Sequence, residues 1–116
     1  MTREELLSLK EFGRNMGYLV NDNYSSKLYF TLRYPECSDY DVVFDSTYNG
    51  GVTISISTQT ADDIINNYSD YDGNIEEFNY TNTSLDTIKT KLKEKWIEYK
   101  NYLNGIELNK IGEDFK

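Results

Sequence analysis

With 116 residues, a formal net charge of −8, no histidine and a single cysteine, the chain has the composition of one folded domain, residues 1–116, able to bury about two-thirds of the surface it exposes when unfolded. The missing histidine excludes Ser-His and Cys-His nucleophilic pairs, imidazole acid–base catalysis and most zinc or iron sites of ordinary make-up. The lone Cys37 has no partner for an internal disulfide. The opening MTREELLSLKEF is charged where a secretory leader needs an apolar core, and no stretch nears the roughly 18 apolar residues of a membrane span, so a cytoplasmic protein away from membranes is expected.

In chain order, Thr2 with Glu5 predicts a capping box, and Leu6, Leu9, Phe12 and Met16 recur at helical spacing, which predicts a first helix ending near Gly13 to Gly17. A short strand at 18–20 then precedes KLYFTLRY, where Leu28, Phe30, Leu32 and Tyr34 alternate against polar neighbours until Pro35 closes the run. YDVVFDS and GVTISIS flank TYNGG, and Asn49-Gly50 supplies the positive φ angles of a tight hairpin. Thr60 with Asp63 caps a short second helix containing Ile64, Ile65 and Tyr68, and 69–82 reads as an acidic loop. Thr83 with Asp86 caps a third helix that carries Leu85, Ile88, Leu92, Trp96, Tyr99 and Leu103 at i, i+3/i+4 spacing, with Gly105 as its stop. The tail 106–116 keeps Ile106, Leu108, Ile111 and Phe115 and either docks on the core or frays. The predicted class is α+β: a single antiparallel sheet of three to four strands with helices on one face, in the order α-β-β-β-α-α. Trp96, Leu92, Ile88 and Phe12 are expected to pack against Phe30, Phe44, Ile54 and Ile56.

Charge is distributed unevenly. Between Tyr34 and Ile88 lie eleven acidic residues and no Lys or Arg, so this middle carries −11 while the flanks sum to +3. On the strand YDVVFDS, Val42 and Phe44 share one parity, which predicts Asp39, Asp41 and Asp45 in a row on the other face, where neighbours of that parity lie about 6.6 Å apart. The acidic loop continues this surface with Asp70, Asp72, Glu76 and Glu77, interleaved with the aromatics Tyr68, Tyr71, Phe78 and Tyr80.

Several chemistries can be weighed against that pattern. Cys37 sits beside Glu36 and Asp39, which raise a thiol's pKa, so a plain loop or partly buried thiol is the better account than a nucleophile. Among so many acids nothing selects a carboxylate pair for glycosidase-type work. From Tyr68 the loop imitates part of a calcium loop, with Asp70, Asp72 and Gly73 at positions 3, 5 and 6 and Glu76 at position 9. Tyr at position 1 and Asn79 at position 12 lack the required end ligands, and an Asp-Gly turn explains the rest. KTKLKEKW spreads its lysines around a helix with Glu94 and Glu98 as partners, and the −11 neighbourhood opposes phosphate, so direct nucleic-acid binding is not expected. No catalytic residue, metal or cofactor is assigned.

The same acids suit a different partner. Carboxylates on a rigid sheet, continued into an aromatic-studded loop, would fit a basic nucleic-acid groove on another protein, with charge steering the encounter and aromatics anchoring it. The partner-binding set is Asp39, Asp41, Asp45, Asp70, Tyr71, Asp72, Glu76, Glu77, Phe78 and Tyr80. In its order of elements over 2–103 and its charge pattern, the chain resembles the small acidic inhibitors of bacterial defence nucleases encoded by phages and mobile elements, in particular anti-CRISPR proteins that block a nuclease's DNA-binding surface. That resemblance implies a DNA-mimicking inhibitor of a Cas or restriction nuclease in a bacterial host cell. The alternatives are a generic interaction or structural domain of a phage or AT-rich bacterium and, third, a small enzyme using a carboxylate pair.

Overall fold

The computed structural model of the chain describes residues 1–35, 37, 42–47, 53–66 and 74–114, with the backbone alone at 66 and 106–114. Helix α1 (Arg3–Met16) starts at the expected capping box: Glu5 N–H donates to Thr2 Oγ1 at 3.1 Å, and Thr2 N–H donates to Glu5 Oε1 at 2.9 Å. It ends at Gly17, whose φ of 124° lies where side chains are strained. A Cβ there would also stand 2.6 Å from the Trp96 ring, so the turn needs glycine twice over.

Five strands follow, β1 (Leu19–Asn21), β2 (Thr31–Arg33), β3 (Val42–Asp45), β4 (Thr53–Ser57) and β5 (Ile75–Asn79), paired antiparallel in sequence order. Helix α2 (Ala61–Asn66) lies between β4 and β5, and a 3₁₀ turn (Tyr80–Asn82) leads into α3 (Leu85–Asp114). The molecule is therefore α+β with one antiparallel sheet.

Three details depart from the sequence reading. Among the described residues the sheet has five strands, because 75–79 pairs with β4 from Thr53↔Asn79 to Ser57↔Ile75, where a loop was expected. The order of elements is accordingly α-β-β-β-β-α-β-α. Helix α3 runs through Gly105 to Asp114. Gly105 does not take the positive φ of a helix stop, and Glu107, Leu108 and Lys110 are good helix formers that outweigh the roughly 1 kcal/mol cost of an interior glycine. The third departure is a bulge in β3, where Leu32 pairs with Phe44 but Arg33 pairs with Val42. Val43 is the extra residue, so Val42 and Phe44 do not share a face and the alternation read from the sequence ends there. The Asn49-Gly50 turn lies outside the described residues.

The core lies between α1, α3 and one face of the sheet. Leu6, Leu9, Phe30, Leu32, Phe44, Ile54, Ile56, Ile88 and Leu92 are all buried, with Phe12 and Trp96 half-buried against them. Beside them Tyr18, Tyr34, Trp96 and Tyr99 form an aromatic cluster with ring centroids 4.4–6.5 Å apart. Two of its hydroxyls donate to α3 carbonyls, Tyr18 to Leu92 O at 2.7 Å and Tyr34 to Lys95 O at 2.9 Å. At 30 residues α3 is about 45 Å long, which accounts for most of the 54 Å long axis of the molecule. Among the described residues no helix is long and apolar enough to cross a membrane.

Candidate functional site

Strand register places the acidic side chains. One cross-strand row, Val20–Leu32–Phe44–Ile56, faces α1 and α3 and reaches β5 at Glu76. The adjacent row, on the other face, is Asn21–Thr31–Asp45–Ser55–Glu77 and is polar at every strand. Asp45 and Glu77 flank Ser55 two strand spacings apart, about 9.5 Å. Thr31 and Ser55 in the middle of this row are buried, Asp45 is half-buried and Glu77 is exposed. The Asp45 carboxylate accepts from Thr47 N at 2.7 Å and Thr47 Oγ1 at 2.6 Å, which fixes it as it leaves β3. Among the described residues no Lys or Arg forms an ion pair with Glu77.

The predicted partner-binding set is thus divided. Asp45 and Glu77 share the polar face. Glu76 and Phe78 have the opposite parity and turn to α3, where Lys91 Nζ lies 3.3 Å from Glu76 Oε2 and 5.5 Å from the Phe78 ring centroid. Tyr80, like Phe78, packs against the core, and its carbonyl accepts from Met1 N at 2.8 Å. Neither aromatic is a free anchor. Asp39, Asp41, Asp70, Tyr71 and Asp72 lie outside the described residues.

Most of the described bases lie on α1 and α3. Lys10 lies 3.5 Å from Asp22 and above the Phe30 ring, Lys89 and Lys93 lie over Phe12, and Lys100 lies over Trp96. Among the described residues Arg33 is the one base within a strand, where it has the parity of Thr31, and its Nη1 donates to the Cys37 carbonyl. Cys37 itself is buried, which agrees with an ordinary partly buried thiol.

Sequence reasoning missed a second polar grouping. A cleft of about 160 Å³ between β4, β5 and α3 is lined by Ile56, Ser57, Thr58, Glu76, Lys91, Glu94, Lys95 and Glu98. Lys95 and Glu98 do not simply pair across a solvated helix face. Lys95 Nζ donates to Gln59 O at 2.7 Å, and Glu98 Oε1 accepts from Ala61 N at 2.5 Å, so two successive turns of α3 clip the link between β4 and α2. Burial pushes the Lys95 pKa down, against the opposing pull of Glu98. The signal was the spacing 91, 94, 95, 98, which puts all four on one helix side, but without β5 there was no opposite wall to make a cleft. No protein-family model matches the chain, nor does any curated protein or solved structure.

Proposed function

We propose that this chain is a non-enzymatic, acidic protein-binding inhibitor that occupies a basic nucleic-acid-binding surface of a partner, in the manner of a DNA mimic such as an anti-CRISPR protein. The observation that supports it is the sorting of charge by layer. The base-free middle of the chain forms β3, β4, α2 and β5, with Asp45 and Glu77 on the polar face of the sheet. The described lysines of α1 and α3 lie on the helical layer, held over aromatic rings, against carboxylates or on a backbone carbonyl. Arg33 shares that face but donates to the Cys37 carbonyl, and the lysines of α1 and α3 stand on the other layer, so Asp45 and Glu77 present a local acidic field that steers a Lys/Arg-lined partner.

The inward packing of Phe78 and Tyr80 sharpens the reading. Two of the expected aromatic anchors serve the fold, so the contact relies on charge more than on buried rings, and its affinity is carried by a fast, salt-sensitive encounter. The test is capture of partners from a bacterial lysate at moderate salt, followed by competition with the partner's own nucleic acid. Recovery of a basic nuclease whose binding weakens as salt rises, and which releases this protein when DNA or RNA is added, is the expected result. A partner that holds both ligands at once, or binds with salt-independent affinity through an apolar surface, would remove the proposal in favour of a generic interaction domain.

A further inference from the structure

The cleft beside α3 has no part in that contact and raises its own question. Its floor is Ile56 and Ser57, both buried, one wall is Glu76, and α3 contributes Lys91, Glu94, Lys95 and Glu98. A volume of about 160 Å³ holds about five waters at roughly 30 Å³ each, which suits a molecule of a few heavy atoms and excludes an ordinary coenzyme. Of the two lysines that line it, Lys91 is occupied by Glu76 at 3.3 Å. Lys95 is half-buried, and its nitrogen is tethered to the Gln59 carbonyl at 2.7 Å instead of sweeping through solvent.

We propose that this cleft is a covalent reaction site for small aldehydes of two to four carbons, with the Lys95 amine forming an imine. The chemistry needs no oxidant, reductant or further reactant. The lone pair of the neutral amine attacks the carbonyl carbon, the C–N bond forms, and the carbonyl π pair moves to oxygen, which takes a proton. The resulting carbinolamine expels that oxygen as water. The two hydrogens that nitrogen loses leave on the departing oxygen, with Glu94 and Glu98 available as carriers. One hydrogen of a neutral amine satisfies Gln59 O, which leaves the lone pair free for attack. Burial favours the neutral form, because the cost of desolvation falls on the ammonium.

Reductive alkylation of the intact protein tests this, with propionaldehyde and cyanoborohydride at pH 7, brief exposure, and mass-spectrometric mapping of each lysine. A half-buried amine governed by access alone reacts more slowly than exposed ones. The proposal predicts the reverse, with Lys95 alkylated faster than the exposed Lys27, Lys93 and Lys100, because the cleft gathers the small aldehyde beside a tethered amine whose burial favours the neutral form. The advantage should narrow as the pH is raised and should vanish with pyridoxal 5′-phosphate, which is too large for the cleft. Alkylation of Lys95 at or below the rate of those three lysines would overturn the proposal. Equal preference for the bulky aldehyde would overturn the assignment of the cleft as the reaction site.

Discussion

On the helix-covered face of the sheet the row from β1 to β4 is Val20, Leu32, Phe44 and Ile56, whereas one residue further along on the other face it is Asn21, Thr31, Asp45 and Ser55, closed by Glu77 on β5. The first row meets α1 and α3 closely enough that a methyl group added at Gly13 would strike Leu32. The second carries side chains whose bonds are short and local, such as Asp45 to Thr47. The difference separates two tasks. Apolar burial on one face supplies stability, whereas the other face is polar at every strand and, under the proposed function, is where a partner docks.

The hardest test of that separation is Leu92→Ala. Leu92 is fully buried in α3 under the apolar row, so the truncation should cost about 2–5 kcal/mol by denaturant unfolding, as large-to-small core changes do. Ile97, five residues on and 58% exposed, should lose no more than about 0.5 kcal/mol in the same change. Similar losses at the two positions would mean that α3 is rotated from the placement described here.

A second test uses pH. Burial, above all, raises the phenol pKa values of Tyr18 and Tyr34 well above their ordinary 10.0, and the negative charge of Glu98 adds to the shift in both. The folded state holds these phenols neutral while the unfolded chain ionises them above pH 10. Their contribution is therefore intact below about pH 10 and is lost as the pH rises from there toward the folded values. Each phenol costs about 1.4 kcal/mol per pH unit in that window, so the pair gives a steep alkaline fall. The double variant Tyr18→Phe, Tyr34→Phe should start less stable, having given up the bonds to Leu92 O and Lys95 O, yet lose stability more gradually between pH 10 and 11.5. Parallel curves would place both hydroxyls in solvent.

The helix-covered face was legible in the sequence because burial imposes a period. The i, i+3/i+4 stripe of α3 and the alternation of Ile54 and Ile56 follow from it, and the capping box of α1 was legible from its own Thr2–Glu5 spacing. β5 was hidden for a physical reason: its helix-facing positions are Glu76 and Phe78, and the carboxylate survives there because Lys91 reaches over to meet it. An acid on the packed side breaks the alternation that identifies a strand, and the segment IEEFN then reads as loop. Gly105 misled in the opposite sense, since glycine ends a helix only where the chain adopts the left-handed conformation. Of the candidate site, the acidic character of the polar face was visible in composition, but membership of that face was not, since one bulge at Val43 and one unseen strand decide it.

The smallest effect on stability is also the sharpest discriminator of function, because Glu76 and Glu77 are neighbours in sequence on opposite faces. Glu76→Lys removes the 3.3 Å pair with Lys91 and brings two ammonium groups together, a loss of under about 1 kcal/mol for a pair that is partly exposed. Glu77→Lys touches no such pair and should change stability by no more than about 0.5 kcal/mol. Binding should rank them the other way. Reversing Glu77 puts a cation into the same row as Asp45, across Ser55, within the proposed contact, which repels a Lys/Arg-lined partner and slows association at low salt. Reversing Glu76 changes the net charge of the protein by the same amount, but on the α3 side, where a partner docked on the polar face does not approach. Association rates measured at low and at 0.3 M salt should therefore fall clearly for Glu77→Lys and much less for Glu76→Lys, with the two variants converging as the Debye length shrinks below the distance between the faces. Equal slowing would mean that a partner senses only total charge, and that the face on which an acid stands does not matter to it.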